Sequence, residues 1–217
     1  MPTDAGDAYP FETLPDYLAP GMRLLLVGIN PSIYSVRQGH YFARKTSRFW
    51  PAFSRSRLSA DVRAVLGRDD LGPEDDARLL ELGIGFTDVV KVPSANAALV
   101  TPALFAEWAP VLRQRVEQIQ PTVAAFQGVM AYRAFERYAL GVAKSVAGLG
   151  AQAIAIGRTR LFVVPNPSPA NAHVRPADQI AWYDQVADFV DTSEASHAAL
   201  QTRPLGEYPP TSAYPLH

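Results

Sequence analysis

RLLLVGINPS, residues 23–32, runs four apolar side chains straight into a glycine and then a polar Asn-Pro turn. Leu24, Leu25, Leu26 and Val27 show no polar alternation, which predicts a strand covered on both faces in a parallel sheet. Gly28 permits another group to approach the backbone, and Pro31 fixes the turn after Asn30. Ligands of open α/β sheets sit beyond the carboxyl ends of the strands, so Asn30 is expected at the mouth of a site. An ordinary strand-ending turn would read the same over these ten residues, so the rest of the chain has to decide.

Downstream, strand and helix signals alternate. Ser35 to Ala43, SVRQGHYFA, is too irregular for a long helix and is expected as a site loop carrying His40, Tyr41 and Phe42. Thr46 or Ser47 is positioned to cap a helix through Phe53, with Phe49, Trp50 and Phe53 on a core face. Pro73 begins a further helix that Gly83 stops. The next strand, Ile84 to Val90, reads IGFTDVV and buries a lone acid, Asp88, which is costly unless hydrogen-bonded or functional. A helix over about 103–118, a strand over 122–126 and a helix after Gly128 follow. Strands at 152–156 and 161–164 then lead into PNPSPANAH, residues 165–173, and a final helix from Pro176 to about Val190. This order predicts an α/β fold of three layers, α/β/α, with a short, mainly parallel central sheet. Residues 1–17 read as an N-terminal tail, 18–192 as the domain and 193–217 as a proline-rich tail.

Composition narrows the function classes. The 217 residues contain no cysteine, which excludes disulfides, thiolate catalysis and cysteine-ligated metal. The four histidines lack metal-site spacing, and neither a Walker loop nor GxGxxG is present. No apolar run approaches the ~20 residues that span a bilayer, so no membrane association and a cytoplasmic location are expected. The net charge is only −1, yet residues 37–68 hold eight Lys or Arg and one acid, Asp61. Screening over about 8 to 10 Å lets such a local field attract phosphates whatever the distant acids do.

Two strands end in nearly matching polar turns, GINPS at 28–32 and PNPSP at 165–169, which placed at one sheet edge would wall a single cleft. With GHYFA (39–43) and GIGFTDVVK (83–91), these segments resemble the bacterial mismatch-specific uracil-DNA glycosylases and the related thymine-DNA glycosylases, in the family's order over roughly residues 18–190. The resemblance implies a uracil-glycosylase fold and removal of uracil, or other mispaired or damaged bases, from double-stranded DNA. It implies neither metal nor other cofactor, and the expected form is a monomer. Phe42 matches the family's base-stacking ring, with Tyr41 beside it, and backbone N–H groups around Ile29 and Phe42 are expected to hold base carbonyls. Asn30 matches the residue that positions the attacking water. Asp88 stands where thymine-DNA glycosylase-like sequences carry asparagine; an ionised carboxylate only accepts hydrogen bonds, so weaker reading of the base and general-base help to water are both expected.

The resemblance also makes residues 166–173 the DNA-entering loop, through Asn166, Ser168, Pro169, Ala170, Asn171 and His173. Asn166 takes the place of a catalytic histidine in the related uracil-DNA glycosylases. Ala170 and Ala172 replace a bulky leucine and an arginine of the bacterial mismatch enzyme, leaving a smaller wedge. An alternative of another class stays open, a catalytically inert DNA-binding relative that keeps the pocket shape.

Overall fold

The computed structural model describes residues 12–171 and 174–201. Five strands form one sheet: β1 (Leu24–Gly28), β2 (Ile84–Asp88), β3 (Val123–Gln127), β4 (Gly150–Ile156) and β5 (Thr159–Val164). Their order is β2-β1-β3-β5-β4, parallel except for the β4–β5 hairpin at one edge. The helices are α1 (Ile33–Gln38), α2 (Phe49–Arg55), α3 (Ala60–Leu66), α4 (Asp76–Leu79), α5 (Pro102–Ile119), α6 (Val129–Ala139) and α7 (Pro176–Gln201).

The unbroken apolar run of β1 has the cause expected of it. Leu25 and Val27 enter a core with Trp108 and Leu112 of α5 and Phe135 of α6. Leu24 and Leu26 enter a second core on the opposite face, with Phe49, Trp50 and Phe53 of α2 and Tyr183, Val186 and Val190 of α7. Successive side chains of a strand point to opposite faces, so a strand sandwiched between helices has no polar position to offer. The fold is therefore three-layered α/β, with the carboxyl ends of β1, β2, β3 and β5 at one edge.

Three local differences from the sequence expectations have physical causes. Residues 33–38 are a short helix where a loop was expected. The Ser32 hydroxyl accepts from Ser35 N–H at its start, and Gly39 ends it at φ 76°. Ile33 and Tyr34 remain exposed, so the helix has no apolar stripe by which to announce itself. Arg48 rather than Thr46 or Ser47 occupies the N-cap of α2, although the Ser47 hydroxyl accepts from Phe49 N–H at 3.3 Å. The last helix runs on to Gln201, with Arg23 bonding Glu194 at 2.9 Å across the sheet edge.

On the N-terminal side of residue 18, Leu14 is buried and Tyr17 pairs with Phe86 through two backbone hydrogen bonds of 2.9 and 3.2 Å. Gly85 makes that approach possible, because a Cβ there would lie 2.0 Å from the Tyr17 carbonyl oxygen. Gly85→Ala is expected to lower stability by about 1–3 kcal/mol, the usual penalty for overpacking a fixed backbone. Urea denaturation checks it, and an unchanged midpoint would mean that residues 12–17 are not part of the folded unit.

Candidate active site

A cleft of about 410 Å³ opens at the carboxyl edge of the sheet, in the size range of small-ligand sites. Asn30, Phe42, Asp88, Asn166, Ser168 and Pro169 all line it, together with Ile29, Tyr41 and Ala170. The turn after β1 and the turn after β5 are thus two walls of one cavity.

Asn30 is locked in orientation. Its Nδ2 donates to Val92 O at 2.9 Å and to Ser94 Oγ at 2.8 Å, while Ser94 Oγ donates onward to Asn96 O. A carbonyl oxygen only accepts, so the amide's NH2 edge must face Val92, and what remains to offer is the acceptor Oδ1. An acceptor of this kind holds a water by one hydrogen and leaves its lone pairs directed elsewhere.

Phe42 sits at φ 54°, a left-handed backbone that a non-glycine residue adopts only when its surroundings enforce it. The enforcement comes from Asp76 at the start of α4, whose carboxylate accepts from Tyr41 N–H at 2.8 Å and contacts His40 Nδ1 at 3.1 Å. Trp50 Nε1 also donates to Tyr41 O at 3.0 Å. The Phe42 ring stacks on Phe49 with centroids 4.2 Å apart, which backs one face with core and leaves the ring as a flat wall of the cleft. Tyr41 is directed inward, stacked on Phe86, with its hydroxyl donating to Pro15 O and accepting from Lys91 Nζ.

Asp88 ends β2 in register with Gly28, and a Cβ on Gly28 would lie 2.2 Å from its Oδ1. The carboxyl group therefore occupies the space that the missing side chain of Gly28 leaves. Its Oδ2 is buried and has no hydrogen-bond partner. Burial pushes the Asp88 carboxyl up to about 7; the Lys91 ammonium opposes the rise and Asp16 adds to it. Lys91 is itself buried and ion-paired to Asp16 at 2.7 Å. Among the described residues no group of three His, Cys, Asp or Glu is placed to hold a metal ion.

A sequence-family model described as the uracil DNA glycosylase superfamily matches residues 15–187. The chain belongs to that superfamily. A solution NMR structure of a Methanosarcina acetivorans protein, provisionally described as a uracil DNA glycosylase, aligns with a TM-score of 0.48 and 20% identity, covering 84% of this chain and 98% of that one.

In this superfamily member the 166–171 turn is built largely on itself. Asn166 Oδ1 accepts from Ser168 N–H at 2.9 Å, and Asn171 Nδ2 donates to Asn166 O at 3.2 Å. Asn171 thus closes the turn from outside the cleft lining, and His173 lies outside the described residues. Arg48 clamps the turn from across the molecule, donating to the carbonyls of Asn171 at 3.0 Å, Pro169 at 3.2 Å and Val174. The basic segment is accordingly not one phosphate-facing surface. Arg48, Arg57, Arg63 and Arg68 make internal hydrogen bonds or ion pairs, whereas Arg37, Arg44 and Lys45 are exposed and Arg44 borders the cleft. Gln127, at the end of β3, is a lining residue that sequence reasoning missed. Its only signal was a polar residue closing the apolar run VAAFQ, the same kind of signal that singled out Asp88.

The raised Asp88 titration has a consequence for stability. The unfolded carboxyl loses its proton near 3.8 and the folded one near 7, so between those values the folded chain holds the extra proton. Its contribution is full below 3.8 and is lost as pH rises to 7, on the order of 4 kcal/mol. Asp88→Asn is expected to remove this slope and to be the more stable protein at pH 8. Urea denaturation across pH 4–8 measures it, and parallel slopes for both proteins would contradict the buried carboxyl described above.

Proposed function

We propose that this chain is a monofunctional DNA glycosylase of the mismatch-specific type, which flips uracil or another mispaired base out of double-stranded DNA and hydrolyses its N-glycosidic bond to leave an abasic site. It is read as a monomer acting in the cytoplasm without a cofactor. The observation that carries the proposal is the convergence of Asn30, Phe42, Asp88 and residues 166–170 on one cleft. A flat ring on one wall, an acceptor amide, and a carboxyl that titrates near neutral suit a single extrahelical base.

The chemistry follows from the partners each group retains. Unstacking a base costs a few kcal/mol, least for a mispair, and stacking on Phe42 returns about 1–3 kcal/mol. The C1′–N1 bond breaks with its electron pair passing to the base, and positive charge develops on the sugar. Water held by Asn30 Oδ1 adds to C1′, and its proton passes to ionised Asp88. Protonation also relieves the repulsion between a carboxylate and an anionic base. The other Asp88 oxygen accepts from the base's ring N–H, a contact that admits uracil and thymine. The small residue Ala170 at the exposed tip of the turn implies a weak wedge in the duplex, so recognition of the opposite base is expected to be slight.

Single-turnover cleavage of a duplex with uracil opposite guanine, read as alkali-labile strand breaks, tests the proposal. Wild type is expected to cleave with a rate that rises with pH through about 7, the Asp88 titration. Asn30→Ala and Asp88→Asn are each expected to fall about 100-fold, and Asp88→Asn to lose the pH dependence, as for a removed general base. Binding of the same duplex with no cleavage by wild type would leave the inert DNA-binding reading in its place.

A further inference from the structure

Gln127 is 2 % exposed, yet its Nε2 is a buried donor with no hydrogen-bond partner. From behind, Tyr183 OH donates to its Oε1 at 3.0 Å, which leaves Nε2 as the unbonded end of the amide. A buried donor left without a partner costs about 1–3 kcal/mol, a cost that the bond from Tyr183 OH to the other end of the amide does not relieve. Bonding Tyr183 explains the oxygen of this amide and not its nitrogen.

The sheet register says what stands opposite. Gly28 pairs with Asp88 on β2, and Val27 pairs with Phe126 on β3, which sets Gln127 in the same row as Gly28 and Asp88. Three adjacent parallel strands spaced about 4.8 Å apart place the outer two Cα atoms roughly 10 Å apart, with bare Gly28 between them. Across that gap the floor of the cleft offers one orphaned acceptor, Asp88 Oδ2, and one orphaned donor, Gln127 Nε2. Such a pair complements a ring that carries N–H and C=O side by side.

Which carbonyl meets Gln127 follows from the direction of entry. β3 lies between β1 and β5, and the DNA-side turn 166–170 is carried by β5 and packs on the residue after Gln127, with Asn166 Cβ 3.1 Å from where a Gly128 Cβ would be. On the glycosylase reading the sugar enters from that side, which turns the glycosidic edge of the base toward Gln127 and its ring N–H toward Asp88. We propose that Gln127 Nε2 donates to the O2 carbonyl of the flipped pyrimidine and stabilises the negative charge that O2 gains as the glycosidic bond breaks. The inference rests on the glycosylase reading above. It supplies a side-chain donor to the leaving base, which neither an ionised Asp88 nor Asn166, whose Oδ1 is bonded within its own turn, provides.

The test uses two leaving groups. Uracil is a poorer leaving group than 5-fluorouracil, whose ring nitrogen is more acidic, so loss of a donor to the departing base harms uracil more. Gln127→Met is expected to slow single-turnover release of uracil about 100-fold, the usual effect of one missing oxyanion donor, and release of 5-fluorouracil at least tenfold less severely. Gln127→Glu keeps an acceptor for Tyr183 OH while replacing the donor with a carboxylate, and is expected to be slower still on uracil, with circular dichroism checking that the variant is folded at the assay temperature. Equal losses on both bases, or rates within twofold of wild type, would overturn the assignment while leaving the glycosylase reading intact. Failure of wild type to release either base would overturn both.

Discussion

Gly28 and Asp88 share one side chain's worth of space. At the ends of neighbouring strands, the carboxyl of Asp88 sits so close over Gly28 that a Cβ there would be 2.2 Å from its oxygen. The placement of the cleft's buried carboxyl depends on that contact. It brings a buried carboxyl to the sheet's edge, removes it from water far enough to titrate near neutral, and leaves Asn30, two residues further along the chain, facing the same cavity. A larger residue at position 28 would push the carboxyl out of the place it holds in the cleft.

The walls of the cleft are held by charge and hydrogen bonding from distant segments, and this is where rigidity comes from. Asp76 holds the Tyr41 N–H and Trp50 the Tyr41 carbonyl, so that Phe42 can remain at a positive φ with its ring against Phe49. Arg48 does the same for the opposite lip by bonding three carbonyls of the 169–174 stretch. Both anchors tie the cleft to α2 or its neighbours, whose aromatic face is one of the two cores. Phe42 and the 166–171 turn are therefore held from both sides of the cleft by fixed bonds, so a ligand there would meet walls that need little ordering on binding.

Much of this was legible in the chain because buried parallel strands leave a simple trace. The run 24–27 has no polar residue because both of its faces are core, and Asp88 stood out as an acid where burial forbids one without a reason. Gln127 carried the same trace but was hidden, since a polar residue after four apolar ones also reads as the plain end of a strand. The pairing within the basic segment was hidden, because Arg48 and Arg57 find partners more than a hundred residues away, at Asn171 and Asp188, and Arg63 and Arg68 turn back on neighbours that the charge pattern does not single out. The extension of α7 past Val190 was illegible because its last two turns are mostly exposed and small, so no apolar period marks them.

The proposed function requires one base, flipped from a duplex, to occupy the space bounded by Phe42, Asn30, Asp88 and Gln127. A crystal structure with a duplex carrying 2′-fluoro-2′-deoxyuridine, whose glycosidic bond resists cleavage, tests it most directly. The uracil ring should lie flat on Phe42, with its ring N–H on Asp88 and the 166–170 turn at the gap in the duplex. A uracil left stacked in the helix, or bound against any other wall of the protein, would contradict the account.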